Sequence, residues 1–255
     1  MTMGLDVAKL IEEFGWPAFA IVARTLAMCA LMPVVGEAMI PMRFRLAVGC
    51  VLGISIVFDQ IAGKQTLQGT PPLQLLFFEI FIGVCIGIGF RLIVHAIQTT
   101  AAIAAQSFSV AQMAGAINGE PLPAVGYFLL LGCLCGLLSL GFGESLYMII
   151  QSSFVILPLG SVPTPTRLAE NFLALTQFSF DLALNLALPF CAVSLFYNFI
   201  MGALNKVMPQ LMVMLVGAPI GMLALLLLLT VASPVIINVW AQNFIGHYDL
   251  RWLTP

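Results

Sequence analysis

The sequence is poor in charged residues. Only 8% of its 255 residues are Asp, Glu, Lys or Arg, while 61% are hydrophobic. Soluble proteins have about a quarter charged and about half apolar residues. These values, with a mean hydropathy of +1.09, exclude a soluble globular domain and predict an all-α membrane protein. Because a spanning helix needs about 20 residues, roughly five to seven spans fit in the chain.

The sequence also lacks the short motifs of common enzymes. It has no Gly-rich phosphate loop followed by Lys-Ser or Lys-Thr, no GxSxG, no HExxH and no CxxC. Its only histidines, His95 and His247, have no nucleophile at a defined spacing. We therefore predict no enzymatic activity, catalytic residue or cofactor. The net charge of −2 gives no indication of nucleic-acid binding.

Metal and disulfide chemistry is not expected either. All six cysteines lie inside apolar runs, without metal-ligand spacing or a companion His. They are interpreted as small buried hydrophobes. The N-terminal residues contain three acids and one base, Lys9, so they lack the basic region of a secretory signal. The cysteines are Cys29, Cys50, Cys85, Cys133, Cys135 and Cys191.

About six apolar segments predict one polytopic membrane domain over residues 1–255. The first run, 16–32, contains Arg24, a costly charge that indicates a face turned toward protein or water. A turn-rich connection, 33–45, leads to a second run at 46–61, and a third run begins near Leu73.

The C-terminal half is predicted to contain kinked and broken helices. A loop is expected at 161–171, then a helix at 172–203 kinked by Pro189. A polar break at 204–210 and a last apolar helix at 211–231 complete a predicted helical hairpin. Residues 233–255 are interpreted as an interfacial tail.

The third run carries a regular stripe of small and ionisable residues. Glu79, Gly83 and Gly87 follow each other at steps of four, so they share one helix face. Small residues at this spacing allow close helix packing in a membrane. Arg91 and His95 continue the stripe. A structural role, with these charges paired internally or with a neighbouring chain, is the favoured interpretation, and an ion relay is the alternative.

The run is followed by an uncharged segment at 107–119, with an acid only at Glu120. It is rich in Gly, Ser, Gln and Asn, and reads as a helix that stops at membrane depth. Irregular backbone at that depth is tolerated where protein covers it or where it lines a water-filled cavity. We interpret 107–123 as the edge of a pore or binding cavity; a static loop between helices is the alternative.

Two classes of function fit these features. Broken helices and midplane charges are typical of a secondary transporter for small solutes or ions. Gly-rich faces and kinked helices are equally typical of a membrane subunit that packs against partner chains. The number of polar breaks in so short a chain favours the second class.

The order of the motifs resembles the FliR/SctT family, the export-gate membrane subunit of flagellar and virulence-type type III secretion. The resemblance runs along nearly the whole chain. It rests on Arg24 with Pro33, Gly36, Pro41 and Arg43; FEIFIGVCIGIGF; SFSVAQMAGAINGEP; SSFVILPLG at 152–160; ALP at 187–189; and MPQLMVMLVGAPI at 208–220.

The resemblance implies a multi-pass protein of the bacterial inner membrane and the flagellar basal body. It implies assembly with FliP-like, FliQ-like and FlhB-like subunits into a hetero-oligomeric helical export gate that conducts unfolded proteins. Flagellar service is favoured over an injectisome, and a solute transporter is a lower alternative. No cofactor is implied.

The resemblance also implies roles for individual residues. In this family the segment corresponding to 107–123 plugs the closed channel. The expected plug residues are Ser107, Ser109, Gln112, Met113, Gly115, Asn118 and Gly119. The expected helix-packing residues are Glu79, Gly83, Gly87, Pro189, Pro209 and Gln210.

Overall fold

A computed structural model describes residues 15–37, 39–62, 72–107, 124–161, 163–207, 213–247 and 250. This part of the chain is helical and contains no strand, as predicted. Its seven helices are α1 (Trp16–Leu31), α2 (Met42–Ala62), α3 (Pro72–Ser107), α4 (Ala124–Ser139), α5 (Phe142–Ile156), α6 (Pro165–Val207) and α7 (Val213–Ile245).

The last two helices are longer than the sequence indicated. α6 begins at Pro165, so the loop predicted at 161–171 is wrong from that residue onward, and the first residues of the predicted break at 204–210 are helical. Proline is well tolerated in a first helical turn, where its missing N–H would be unpaired anyway. α7 includes Pro219 and Pro234 and continues to Ile245. Most of the predicted interfacial tail is therefore helix.

Three helices of the described part are long and apolar enough to cross a membrane: α3, α6 and α7 from Pro219 onward. The sharply bent pair α4 and α5 makes a fourth if it counts as one span. The chain changes direction at Gly141, whose φ of 79° lies in the left-handed region that favours glycine. The predicted five to seven spans exceed this number, because α1 has only 16 residues and α2 carries Arg43, Arg45 and Asp59.

The described residues fall into two compact units, each built from separate stretches of sequence. Unit 1 comprises Met1–Leu92, Gly141–Leu175 and Gly246–Pro255. Here α1 packs closely on α2, since a Cβ added to Gly53 would lie 3.1 Å from the Cα of Val22. The prediction of a single membrane domain over 1–255 stays a prediction.

Unit 2 comprises Ile93–Leu140 and Thr176–Ile245. Its buried Trp240 donates from Nε1 to the carbonyl oxygen of Ile93, 2.8 Å away, which joins α7 to α3. α4 lies against α7, because a Cβ on Gly132 would be 2.8 Å from Ile237. The hydroxyl of Tyr197 in α6 donates to the Gly217 carbonyl in α7, the contact expected of the predicted hairpin.

The cysteines are free thiols of varied exposure. Cys29, Cys85 and Cys133 are buried, as expected of small hydrophobes. Cys135 is exposed, so the prediction is wrong at that position. No group of His, Cys, Asp and Glu within the described residues could hold a metal ion.

Candidate functional site

Unit 1 contains a fully buried ion pair between Arg24 of α1 and Glu79 of α3. Arg24 donates from Nε to Oε2 of Glu79. The guanidinium carbon lies 4.1 Å from the centroid of the Phe154 ring, within the range of a cation–π contact. Charges are stable in a protein interior only when they are paired and hydrogen-bonded. The inward position predicted for Arg24 is therefore confirmed, and its partner is identified.

The pair also holds the end of α5. Arg24 donates from Nη1 to the carbonyl oxygens of Ser153, at 3.1 Å, and Leu157, at 2.9 Å. The Leu157 carbonyl lies past the last helical residue and has no intrahelical donor, whereas the Ser153 carbonyl also accepts from the Leu157 N–H at 3.0 Å. A positive charge at this end of a helix is favoured by the helix dipole. The N–H of Gly160 donates to Oε1 of Glu79 at 3.0 Å. One ion pair thus connects α1, α3 and the turn that follows α5.

Two glycines bring α1 and α3 close enough for this pairing. A Cβ on Gly83 would lie 2.5 Å from the carbonyl oxygen of Arg24, and a Cβ on Gly87 would lie 2.6 Å from the Cβ of Leu31. Both distances are shorter than a van der Waals contact, so only glycine fits. These glycines face a helix of their own chain, so the expectation that such Gly-rich faces receive a partner subunit is wrong at these two positions.

Arg91, one step further along the stripe, holds the connection between α1 and α2. Its Nη1 lies 3.8 Å from Oε1 of Glu37 and donates to the carbonyls of Gly36, at 3.4 Å, and Leu31, at 3.5 Å. Arg45 donates to the Glu37 carbonyl at 2.6 Å. Arg91 of α3 and Arg45 of α2 therefore both bind backbone carbonyls at the connection between α1 and α2.

The ionisable residues of the stripe bond to separate groups. Glu79 and Arg91 are 12 positions apart on α3, or about 18 Å along its axis. His95 has an exposed side chain whose Nδ1 lies 2.7 Å from Oε1 of Gln98. Of the two kinds of pairing that the sequence allowed, the contacts of Glu79 and Arg91 are with groups of the same chain, and these three residues form no chain of adjacent ionisable groups.

Two of the other predicted site residues, Ser107 and Pro189, lie in the described part of the chain. Ser107 is the last residue of α3, and its hydroxyl donates to the Ile103 carbonyl at 2.7 Å. Pro189 lies inside α6 with an exposed side chain. The remaining plug and packing residues fall outside the described part of the chain; they are Ser109, Gln112, Met113, Gly115, Asn118, Gly119, Pro209 and Gln210.

Sequence reasoning missed the groups that surround the ion pair. The segment 152–160 was noted for its part in the resemblance, but its contacts were not predicted; it supplies two carbonyls, an aromatic ring and an N–H to Arg24 and Glu79. A usable signal was present. Two opposite charges, Arg24 and Glu79, lie in apolar runs, and such charges usually pair with one another or with backbone carbonyls.

These observations define a class: a helical membrane protein with a buried ion pair and with no metal-binding cluster among the described residues. Its backbone is broken at Gly141 and contains prolines within its longest helices. The chain belongs to the family described as "Bacterial export proteins, family 1", whose model matches residues 16–246.

Relatives of this chain are known in several bacteria. It is 28% identical over 250 residues to the flagellar biosynthetic protein FliR of Pectobacterium carotovorum subsp. carotovorum, covering 94% of this chain and 92% of the relative. It is 26% identical over 236 residues to FliR of Aquifex aeolicus, covering 91% of each chain. FliR of Escherichia coli K12 is 26% identical over 247 residues, covering 94% and 91%.

Proposed function

We propose that this chain is a membrane subunit of the flagellar type III protein export gate. In this role it forms part of the channel for unfolded flagellar proteins and contributes the plug that closes it. The observation that carries the proposal is the family match over residues 16–246. The relatives reported above are all flagellar biosynthetic proteins, which favours flagellar service over an injectisome.

The segment 107–123, which begins with the last residue of α3, is the best candidate for the plug. It joins the C-terminal end of α3 at Ser107 to the start of α4 at Ala124. Apart from Glu120 it is uncharged, and it contains Gly115, Gly119 and Met113. Glycines permit rearrangement of the backbone, and methionine adapts to irregular gaps. Such a composition suits a seal that must open for a chain of any sequence.

We further propose that the protein works in the bacterial inner membrane, in the flagellar basal body, with FliP-like, FliQ-like and FlhB-like partners. The low burial of the long C-terminal helices supports an assembly. In the most apolar 18-residue stretch of each helix, the share that is buried within the chain is 22% in α6 and 28% in α7, against 61% in α3. Partner helices can cover surfaces that the chain itself leaves open.

A stand-alone solute transporter is the less favoured alternative, and an enzymatic role is not proposed. Transporter sites lie near the bilayer midplane beside broken helices. The buried charges Arg24 and Glu79 bind each other and nearby backbone groups instead. Purification in mild detergent separates the two: a gate subunit migrates with other small membrane proteins, while a transporter migrates alone and is stabilised by its solute.

The plug is tested by deleting Gln112 to Gly119. We expect the complex to assemble and the membrane to leak small ions, measured as ion conductance of cells. Deletion of Gly63 to Thr70, an equally long segment between α2 and α3, is the control and should leave conductance unchanged. Unchanged conductance after the first deletion, with normal complex yield, would refute the plug.

The flagellar assignment has its own test. Removing the gene should abolish swimming and the appearance of filament protein in the medium, and the full chain should restore both. If filament export continues without the gene while another secretion process stops, the chain serves a different export system.

A further inference from the structure

Two opposite faces of α6 differ in chemistry where the helix belongs to unit 2. One face is buried, and Thr100 of α3 donates a hydrogen bond of 3.1 Å to the Ala183 carbonyl there. The residues of this face follow a helical period of three and four: Ser179, Leu182, Ala183, Leu186, Ala187 and Phe190. Packing within unit 2 therefore covers this face of α6 and leaves the opposite face exposed.

The other face carries a polar stripe. Gln177, Asp181 and Asn185 follow each other at steps of four, and all three are exposed. Asp181 is the only charged residue between Glu170 and Lys206. The large apolar neighbours on this face, Phe180, Leu184 and Leu188, are each more than half exposed. The result is a polar line with one acid at its centre, within an apolar surface.

A proline adds a further hydrogen-bond acceptor to the stripe. Pro189 has no N–H and cannot donate to the carbonyl of Asn185, four residues earlier. Within the described residues, Asp181 makes no hydrogen bond or ion pair. An ionised carboxylate and a freed carbonyl are costly against lipid tails, which offer no donors. Lipid alone is thus a poor neighbour for this face.

We propose that this face of α6, centred on Asp181, binds an apolar helix of a different membrane subunit, which places a Lys or Arg side chain against Asp181. Charge complementarity selects this occupant. A long basic side chain supplies several donors, enough for the carboxylate and for the nearby Asn185 carbonyl. The flanking Phe180, Leu184 and Leu188 supply the apolar contact around it.

A second copy of this chain does not satisfy the same requirement. Two copies inserted in the same orientation with these faces together would bring Asp181 to the level of the other Asp181, and like charges repel. α7, another helix with a largely exposed apolar surface, has no Lys or Arg in 213–245. α2 is largely exposed as well, but its exposed base, Arg43, lies in its first turn and not within its apolar stretch. A basic residue in an apolar helix of another protein satisfies the requirement.

Photo-crosslinking identifies the occupant. A benzophenone amino acid at Leu184, on the exposed face beside Asp181, is activated in membranes of cells that carry the complete export system. We expect a crosslinked peptide from an apolar helix of another membrane subunit, with a Lys or Arg in that helix. Crosslinks only to lipid, to a second copy of this chain or to an exported protein would overturn the proposal.

Charge exchange then tests the pairing. Asp181→Lys should lower the yield of the purified complex by about tenfold or more, and replacing the identified basic residue with Asp should restore it. Asp181→Asn, nearly identical in shape, should lower the yield without affecting folding. Glu170→Gln, also exposed on α6, is the matched control and should have no effect. Unchanged yield for both Asp181 variants would refute the pairing.

This inference rests on the proposed function only in requiring a membrane complex. If Leu184 crosslinks only to lipid while the complex still purifies and exports filament protein, the proposed function stands and this interface is refuted. If no other membrane subunit purifies with the chain, both are refuted.

Discussion

The N–H of Gly160 donates to one carboxylate oxygen of Glu79 at 3.0 Å, while the other oxygen pairs with Arg24. The buried Glu79 carboxylate thus accepts a hydrogen bond from the turn after α5 and also pairs with the Arg24 guanidinium. Replacing Glu79 affects two helices and the segment after α5 together, and this gives a direct test of the ion pair.

Glu79→Gln should destabilise the protein by about 3–5 kcal/mol, because it leaves the Arg24 guanidinium buried without a counter-charge. Thermal unfolding of the purified protein in detergent measures the loss. The double variant Arg24→Met with Glu79→Leu removes both charges and should recover most of the stability. Equal stability of Glu79→Gln and the parent protein would contradict the structural role of the pair.

Gly83→Ala should destabilise the contact between α1 and α3. The new Cβ would lie 2.5 Å from the Arg24 carbonyl oxygen, and relieving such an overlap costs about 1–3 kcal/mol. Gly202→Ala is the control, because no atom lies within 4 Å of a Cβ at that helical position; it should raise stability by roughly 0.5–1 kcal/mol. Melting temperatures of both variants in the same detergent provide the comparison, and an unchanged value for Gly83→Ala would refute the close approach.

Val34→Gly should stabilise the protein by about 1 kcal/mol. Val34 has a φ of 68°, a conformation that costs an ordinary L-residue about 1–2 kcal/mol and that glycine adopts freely. Val35 is not among the positive-φ residues of the described part, so Val35→Gly should lower stability instead. Chemical or thermal unfolding reports both signs, and the same sign for the two variants would count against strain at Val34.

Trp240→Phe should cost about 1–3 kcal/mol, because it removes the hydrogen bond to the Ile93 carbonyl and part of a fully buried ring. Trp16 is 41% exposed, and Trp16→Phe should change stability by less than about 0.5 kcal/mol. Proteolysis of the detergent-solubilised protein is a second measurement. Cleavage should be faster than in the parent protein for Trp240→Phe and unchanged for Trp16→Phe.

Hydropathy predicted the class of fold because it depends on composition and on the length of apolar runs. It located α1 and the start of α3, and the cost of burying a charge placed Arg24 inward. The same rules failed at Pro165, which lies in the loop predicted at 161–171 but begins α6 at a position that suits a proline. They also failed after residue 231, where the last apolar helix was predicted to end, because α7 continues through Pro234 to Ile245.

Partners were harder to predict than positions. Nothing in the local sequence pairs Arg24 with Ser153 and Leu157, because tertiary packing decides which carbonyls lie within reach of a side chain. The notches at Gly83 and Gly87 were recognised from their spacing, but spacing does not tell whether the facing helix belongs to the same chain.

The contacts of Arg24 have a consequence for how the protein is made. Translation proceeds from the N-terminus, so Arg24 leaves the ribosome 55 residues before Glu79 and 129 residues before Ser153. Until Glu79 has been made the guanidinium lacks its counter-charge, and until residues 153–157 have been made it lacks its two carbonyl acceptors. We therefore expect α1 to remain in a polar environment, at the insertion machinery or the membrane surface, at least until Glu79 has been synthesised.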